Sequence, residues 1–69
     1  MRITVLCVGV RGGQTNLDQF QVFDDSVEAE SYFISLIPDN VSNPEVVEDA
    51  LMCGYYEYMD GGLAVIRHD

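Results

Sequence analysis

The feature that most limits how this chain can fold is a long segment with only one sign of charge. From Asp18 to Ile66 the sequence carries eleven Asp and Glu side chains and neither Lys nor Arg. Because no basic side chain in this segment can pair with these carboxylates, we expect them to face solvent, around a core of apolar residues. The three basic residues lie near the two ends of the sequence, which allows them to cluster: Arg2, Arg11 and Arg67.

Composition favours one small folded domain over a disordered or catalytic chain. The formal net charge of -9 on 69 residues exceeds the magnitude of roughly 2 to 8 that suits a small soluble domain. However, 48% of the residues are hydrophobic, so a core is available. A chain of this length buries only about 60% of its unfolded surface and leaves little room for an enclosed substrate pocket. We therefore expect a single domain spanning residues 1–69 that is not an enzyme.

The first part of the chain predicts a β-hairpin. Residues 3–10 are rich in β-branched side chains and apolar on both faces, which is typical of a central strand. Residues 11–16 contain two adjacent glycines and predict a flexible turn. Residues 19–23 then alternate polar and apolar side chains, which places Phe20 and Val22 on one face of a second strand.

Two helices are predicted next. Asp25 with Glu28 has the form of an N-cap with its reciprocal glutamate, and the helical pattern then continues to Pro38. A second start signal is Pro44 at the first helical position, after Ser42 or Asn43 as the cap, and Gly54 is well placed to end this helix.

A second hairpin completes the predicted fold. Residues 55–59 and 63–66 read as short strands joined by the turn at residues 60–62, where Asp60 precedes two glycines. The order along the chain is therefore ββααββ. We predict an α+β domain in which two helices pack on one face of a small antiparallel sheet and carry their acids outward.

The acids of the second helix are candidates for a binding surface. Glu45, Glu48 and Asp49 are three and four residues apart, so their Cβ atoms are neighbours at about 5 to 6 Å. Duplex DNA presents one negative charge per roughly 1.7 Å of axis, so closely spaced carboxylates on a rigid surface can imitate a row of phosphates. Further acids come from the start of the first helix and from the last hairpin: Asp24, Asp25, Glu28, Glu57 and Asp60.

Each of these acids also has a structural interpretation. Asp25, Glu28 and Glu45 would cap helices and complement their dipoles, and the other acids would be ordinary solvated residues. Capping does not explain the complete absence of Lys and Arg from residues 18–66. We therefore predict an acidic surface that binds a basic protein surface. Tyr56 and Tyr58 flank Glu57 and are candidate interface anchors, since tyrosine is enriched at interfaces, although core packing is the alternative role for them.

Other chemistries are less well supported by the sequence. Cys7 and Cys53 both have the pattern of small buried hydrophobic residues. The sequence leaves open a disulfide between them, but two cysteines are not the dense framework of small secreted scaffolds. His68 is the only histidine and lies at a chain end that we expect to fray. We predict no catalytic residue, no metal site and no cofactor. Direct binding of nucleic acid is disfavoured by the acidic charge.

Location and assembly follow from the same features. No signal peptide is recognised in residues 1–13, and no apolar stretch approaches the roughly 18 to 20 residues that span a bilayer. We expect a protein of the bacterial cytoplasm without membrane contact. Repulsion between like-charged copies favours a monomer.

Taken as a whole, the chain resembles the small acidic inhibitors encoded by phages and mobile elements, and most closely an anti-CRISPR protein of the type I-C class. The resemblance covers the chain from its start, Met-Arg-Ile-Thr-Val-Leu, to Met-Asp-Gly-Gly-Leu-Ala-Val-Ile near its end. These inhibitors share no diagnostic motif, so the resemblance assigns no functional residue. It implies a protein that binds the large subunit of Cascade, the CRISPR surveillance complex, and keeps target DNA out.

Two other functions remain open at this stage. An antitoxin or regulatory subunit would bind a protein partner through apolar and tyrosine surface, and its charge would serve solubility alone. A small enzyme or metal protein would depend on Cys7 or His68.

Overall fold

A computed structural model describes residues 2–69 as a four-stranded antiparallel sheet with two helices. The elements are β1 (Ile3–Arg11), β2 (Gln14–Phe23), α1 (Ser26–Ser35), α2 (Pro44–Cys53), β3 (Tyr55–Glu57) and β4 (Leu63–His68), with a short 3-10 helix at Asp39–Val41 between the two α-helices. The strand order in the sheet is β2-β1-β4-β3. The predicted α+β class and the ββααββ order are confirmed.

The first hairpin has a tighter turn and a longer second strand than the sequence predicted. Gly12 and Gly13 have φ angles of 58° and 79° and form the whole loop, so β2 begins at Gln14. Positive φ at both central residues is the requirement of a type I′ hairpin turn, whose twist matches the flanking strands. The predicted flexible turn over residues 11–16 is therefore wrong in extent, since Arg11 pairs with Gln14. As predicted, β1 is a central strand.

Local capping sets the bounds of both helices. The Asp25 side chain accepts a hydrogen bond of 3.1 Å from the Val27 N–H at the start of α1. The Asn43 side chain accepts one of 3.1 Å from the Val46 N–H at the start of α2. Gly54 adopts a left-handed conformation, with φ of 86°, and ends α2. These are the caps that the sequence indicated, because each depends on residues within one turn of the helix end.

The helices cover one face of the sheet and leave the other uncovered. α1 packs across β1 and β4, whereas α2 lies against the edge strand β3 and contributes one fully buried residue, Ala50. The core between the layers consists of eight buried hydrophobic residues: Ile3, Val5, Ala29, Phe33, Ile37, Ala50, Ala64 and Ile66.

The basic residues do not form one cluster. Arg67 is opposite Thr4 near one end of β1, and the carbonyl of Arg2 at the same end accepts a hydrogen bond from the Asp69 N–H. Arg11 lies at the other end of β1, at the hairpin turn. The strand direction alone places this cation far from the other two.

Candidate partner-binding surfaces

The eight acids predicted to bind a partner are all exposed, and none of them forms an ion pair with another residue of the described range 2–69. Within residues 2–69 the only two ion pairs are Arg11 to Asp18, at 2.8 Å, and Arg67 to Asp69, at 3.8 Å. None of the predicted acids takes part in either pair. Their charge is therefore uncompensated within the described fold and available to an external cation. The exposed acids are Asp24, Asp25, Glu28, Glu45, Glu48, Asp49, Glu57 and Asp60.

Several predicted residues meet at a groove between α2 and β3. Asp49 of α2 and Glu57 of β3 line this groove, which has a volume of about 220 Å³, together with Tyr56. A neighbouring groove of about 310 Å³ is lined by Tyr56, Tyr58 and Asp60. Because Tyr56 lines both, the two grooves adjoin, and we call them together the α2–β3 groove. The structure thus joins acids from α2 and from the last hairpin in one place.

The acids at the start of α1 lie elsewhere. Asp24 and Asp25 directly follow β2, which is the edge strand on the opposite side of the sheet from β3. Three strand spacings of about 4.8 Å separate these two edges, or roughly 14 Å. The predicted acids therefore form two groups, one along the α2–β3 side and one at the start of α1, which includes Glu28.

Tyr58 has a structural role in addition to lining the groove. Its hydroxyl donates a hydrogen bond of 2.6 Å to the Leu36 carbonyl and lies 3.6 Å from the Cys7 Sγ. Burial, followed by the hydrogen bond with Cys7, raises the pKa of Tyr58 above its usual range. The Tyr56 and Tyr58 rings pack edge to face with centroids 5.5 Å apart, and both rings pack against the core. Tyr58 is thus held by the fold, and Tyr56 is only half exposed.

The tyrosine that is most available to a partner is Tyr55, which the sequence analysis did not select. It is 49% exposed, and its register places it on the uncovered face of the sheet, while Tyr56 faces the helices. Strand alternation gave the signal that these two neighbours point to opposite faces. However, the sequence of β3 alone does not indicate which face of the sheet the helices cover.

The uncovered face of the sheet is apolar. Register pairing places the even-numbered residues of β1 on this side, together with their partners on the neighbouring strands. A register shift in β2 opposite Cys7 and Val8 brings Leu17 to the same face as Phe20. Four of its apolar side chains are highly exposed: Leu17 at 62%, Phe20 at 55%, Tyr55 at 49% and Val22 at 47%. We call this surface the open face. Its apolar members are Leu6, Val8, Val10, Leu17, Phe20, Val22, Tyr55, Leu63 and Val65.

The residues considered for catalysis or metal binding are dispersed. Cys7 is half-buried beside Tyr58, and Cys53 is exposed at the end of α2, so the prediction of burial is wrong for Cys53. Both cysteines are free thiols. His68 lies at the end of β4, opposite Ile3 of β1, so this strand extends beyond the predicted residues 63–66. No group of three or more potential ligand side chains in residues 2–69 is arranged to hold a metal ion.

Comparison with known proteins adds no functional assignment. No protein-family model matches the chain, and neither a curated protein nor a solved structure matches it. Neither α-helix of residues 2–69 has the length and apolar character needed to cross a bilayer. The functional argument therefore depends on the two contrasting surfaces, the acidic side with its α2–β3 groove and the open face.

Proposed function

We propose that this protein is a non-enzymatic inhibitor whose acidic surface occupies a basic, DNA-binding site on another protein. The observation that carries the proposal is the set of eight exposed acids, none of which is ion-paired within residues 2–69. Like charges three and four residues apart on α2 destabilise that helix. A cationic partner would neutralise these acids on binding, which explains why the chain retains acids that destabilise α2.

The α2 acids are the centre of the proposed binding surface. Glu45, Glu48 and Asp49 are exposed on a helix fixed at both ends by Asn43 and Gly54, so their carboxylates are presented on a rigid support. Rigid presentation lowers the entropy lost when the charges meet their partner. The groove beside this helix, with Glu57 and Tyr56, would extend the contact beyond charge alone.

The specific target that we propose is the DNA-binding site on the large subunit of Cascade, as the resemblance to type I-C anti-CRISPR proteins implies. In this mechanism the acidic surface excludes target DNA by occupying its site. Complementary charge accelerates the encounter and makes binding sensitive to salt.

The decisive experiment measures binding to purified Cascade, with and without target DNA, across a salt series. We expect target DNA to compete with the protein and added salt to weaken the complex steeply. The double variant Glu48→Lys/Asp49→Lys should lose inhibition while its circular dichroism spectrum stays unchanged. Full inhibition by this variant would exclude α2 as the binding element.

The second acidic group offers a matched control of the same charge change. Asp24→Lys/Glu28→Lys reverses two charges at the other edge of the sheet and leaves α2 intact. If only the α2 variant loses binding, the α2–β3 side is the contact surface. Equal losses from both variants would indicate attraction by net charge without a defined surface, which contradicts the proposed groove.

The open face favours a second candidate function, that of an interaction protein such as an antitoxin or a regulatory subunit. Apolar side chains and Tyr55 would then supply the binding energy, and binding would depend weakly on salt. Tyr55→Ala tests this function better than Tyr58→Ala, because Tyr58 also bonds to Leu36 within the fold. If Tyr55→Ala weakens partner binding more than reversal of the α2 charges does, this second function is supported.

A further inference from the structure

The open face has the composition of a buried surface. In an antiparallel sheet with one solvated side, the solvated side is ordinarily polar and the covered side apolar. Here β2 shows the reverse arrangement. Its exposed polar residues Gln19 and Gln21 are on the side of the helices, and its apolar residues Phe20 and Val22 point away from them. The pattern of β2 therefore indicates that its apolar side is buried by a surface other than α1 and α2.

The acids are nearly absent from this face. Among the strand residues whose register places them on the open face, Glu57 is the only acid and Arg67 is the only base. The formal charge of the face is thus zero, although the chain carries -9. Among the possible occupants, this neutrality favours an apolar and uncharged surface. A basic partner would meet a single acid here, Glu57, with Arg67 on the same face.

We infer that a second copy of this chain covers the open face, so that two sheets pack face to face in a symmetric dimer. The same apolar surface on each copy satisfies the self-complementarity that a twofold interface requires. Packed sheets of this kind lie about 10 Å apart, with strands crossing at roughly 30°. The inference does not depend on the α2 acids, although Tyr55 and Glu57 of β3 belong both to the open face and to the lining of the α2–β3 groove.

Repulsion between the copies does not prevent this arrangement. With the sheets in the centre, the acid-bearing helices form the two outermost layers. Layer spacings of about 10 Å place those outer layers roughly 30 Å apart, which is several Debye lengths of about 8 Å at physiological salt. The reason for expecting a monomer, mutual repulsion of acidic copies, therefore applies weakly to this orientation.

The size of the open face suits a small dimer. The strands contain nine, ten, three and six residues. At about 3.4 Å per residue and 4.8 Å per strand, the sheet has a planar area on the order of 450 Å². This area is below the roughly 800 Å² per partner of a standard interface and corresponds to a small, weak one. We expect association in the micromolar range.

Dimerisation would present two identical acidic layers on opposite outer surfaces of one particle. Each layer would keep the exposed acids of its α2 helix accessible, whereas Tyr55 and Glu57, which also line the α2–β3 groove, lie on the open face. One dimer could then engage two target sites, and linked binding of this kind raises apparent affinity when both sites are within reach.

The test is sedimentation equilibrium of the full chain from low to high micromolar concentration. We expect the wild type to approach twice its monomer mass of 7.7 kDa. Phe20→Glu buries a charge in the interface and should weaken dimerisation about 100-fold or more. The matched control is Gln21→Glu, which adds the same charge to the adjacent residue of the same strand, but on the helix side. It should dimerise as the wild type does.

Two further measurements keep the test decisive. Tyr55→Glu changes the same face on a different strand and should also give a monomer, with circular dichroism showing that each variant is folded. A wild type that stays monomeric at high micromolar concentration would overturn the inference. So would a dimer that both Phe20→Glu and Tyr55→Glu leave intact, since a different surface would then mediate it.

Salt and the α2 variant separate this inference from the proposed function. Added salt screens the acids, so it should strengthen the dimer while it weakens binding to a basic target. Glu48→Lys/Asp49→Lys should lose target binding and remain a dimer. Phe20→Glu should become a monomer and retain the acidic surface. Dimerisation and target binding can therefore be measured separately, and a negative result for one does not prevent a test of the other.

Discussion

Tyr58 connects three parts of the fold through one hydroxyl group. The hydroxyl lies between the Leu36 carbonyl at the end of α1 and the Cys7 thiol of β1, and Tyr58 itself directly follows β3. A small domain with eight buried hydrophobic residues depends on such a connection more than a large one does.

At the residue scale, we predict that Tyr58→Phe destabilises the protein. The substitution keeps the ring and removes the bond to the Leu36 carbonyl, and a net hydrogen bond of this kind contributes about 1 kcal/mol. Urea unfolding at neutral pH measures the change. Tyr55→Phe is the control, because in residues 2–69 the Tyr55 hydroxyl has no hydrogen-bond partner within the chain. Equal stability of the two variants would show that the Leu36 bond contributes nothing.

The raised pKa of Tyr58 leads to a second residue-scale prediction. A group whose folded pKa lies above its unfolded value of about 10 stabilises the fold fully below that pH, and this contribution is lost as pH rises through the folded pKa. We expect the stability advantage of the wild type over Tyr58→Phe to shrink above about pH 10. Chemical denaturation of both proteins at neutral pH and at about pH 11 tests this, and a constant difference would contradict it.

At the scale of elements, Gly54 is where α2 ends and β3 begins. Its N–H donates a hydrogen bond of 2.8 Å to the Ala50 carbonyl, which closes the helix. Its carbonyl accepts a hydrogen bond of 2.9 Å from the Ile66 N–H of β4. A Cβ at this position would lie 3.3 Å from the Ile66 carbonyl oxygen. One residue therefore fixes the position of α2, and with it the acids of that helix, relative to the sheet.

We predict that Gly54→Ala costs more stability than Gly13→Ala. Both glycines have positive φ, 86° and 79°, so an L side chain costs roughly 1 to 2 kcal/mol at either position. Only at Gly54 does the added methyl group also crowd a backbone oxygen, since the Cβ site of Gly13 is open. Thermal and urea unfolding compare the two. A larger loss at Gly13 would mean that the crowding at Gly54 relaxes without cost.

For the whole molecule, the main property is the separation of charge from apolar surface. In the part of the chain that the structure describes, the eight predicted acids form no ion pair, while the open face has a formal charge of zero. Repulsion among uncompensated acids opposes the compact state, and salt screens that repulsion. Added salt should therefore raise the folding stability and strengthen the dimer, whereas it should weaken binding to a basic target.

We predict that added sodium chloride stabilises the protein against unfolding. As the Debye length falls from about 30 Å to about 8 Å, the free energy of unfolding should rise by on the order of 1 kcal/mol. The measurement is urea unfolding at fixed protein concentration, because association also shifts apparent stability. Glu45→Gln/Glu48→Gln removes two neighbouring charges and should reduce the salt dependence. Destabilisation by salt would indicate that the two ion pairs outweigh the repulsion.

The sequence by itself determined the local features of this fold. The caps at Asp25 and Asn43, the end of α2 at Gly54 and the positions of both hairpins were all predictable. Each depends on hydrogen bonds or backbone angles set within a few residues. The exposure of the acids was predictable as well, because carboxylates without cationic partners are costly to bury.

Only the tertiary structure decided which face of the sheet the helices would cover. Alternation showed that Phe20 and Val22 share a face of β2. That face stayed open because β1 pairs with β4, about 60 residues away in sequence, and α1 packs on the other side of these strands. The same packing placed Tyr58 within the fold, Tyr55 on the open face and Cys53 in solvent. Two ten-residue helices can bury one side of the sheet, so the second apolar side is left for another surface to cover.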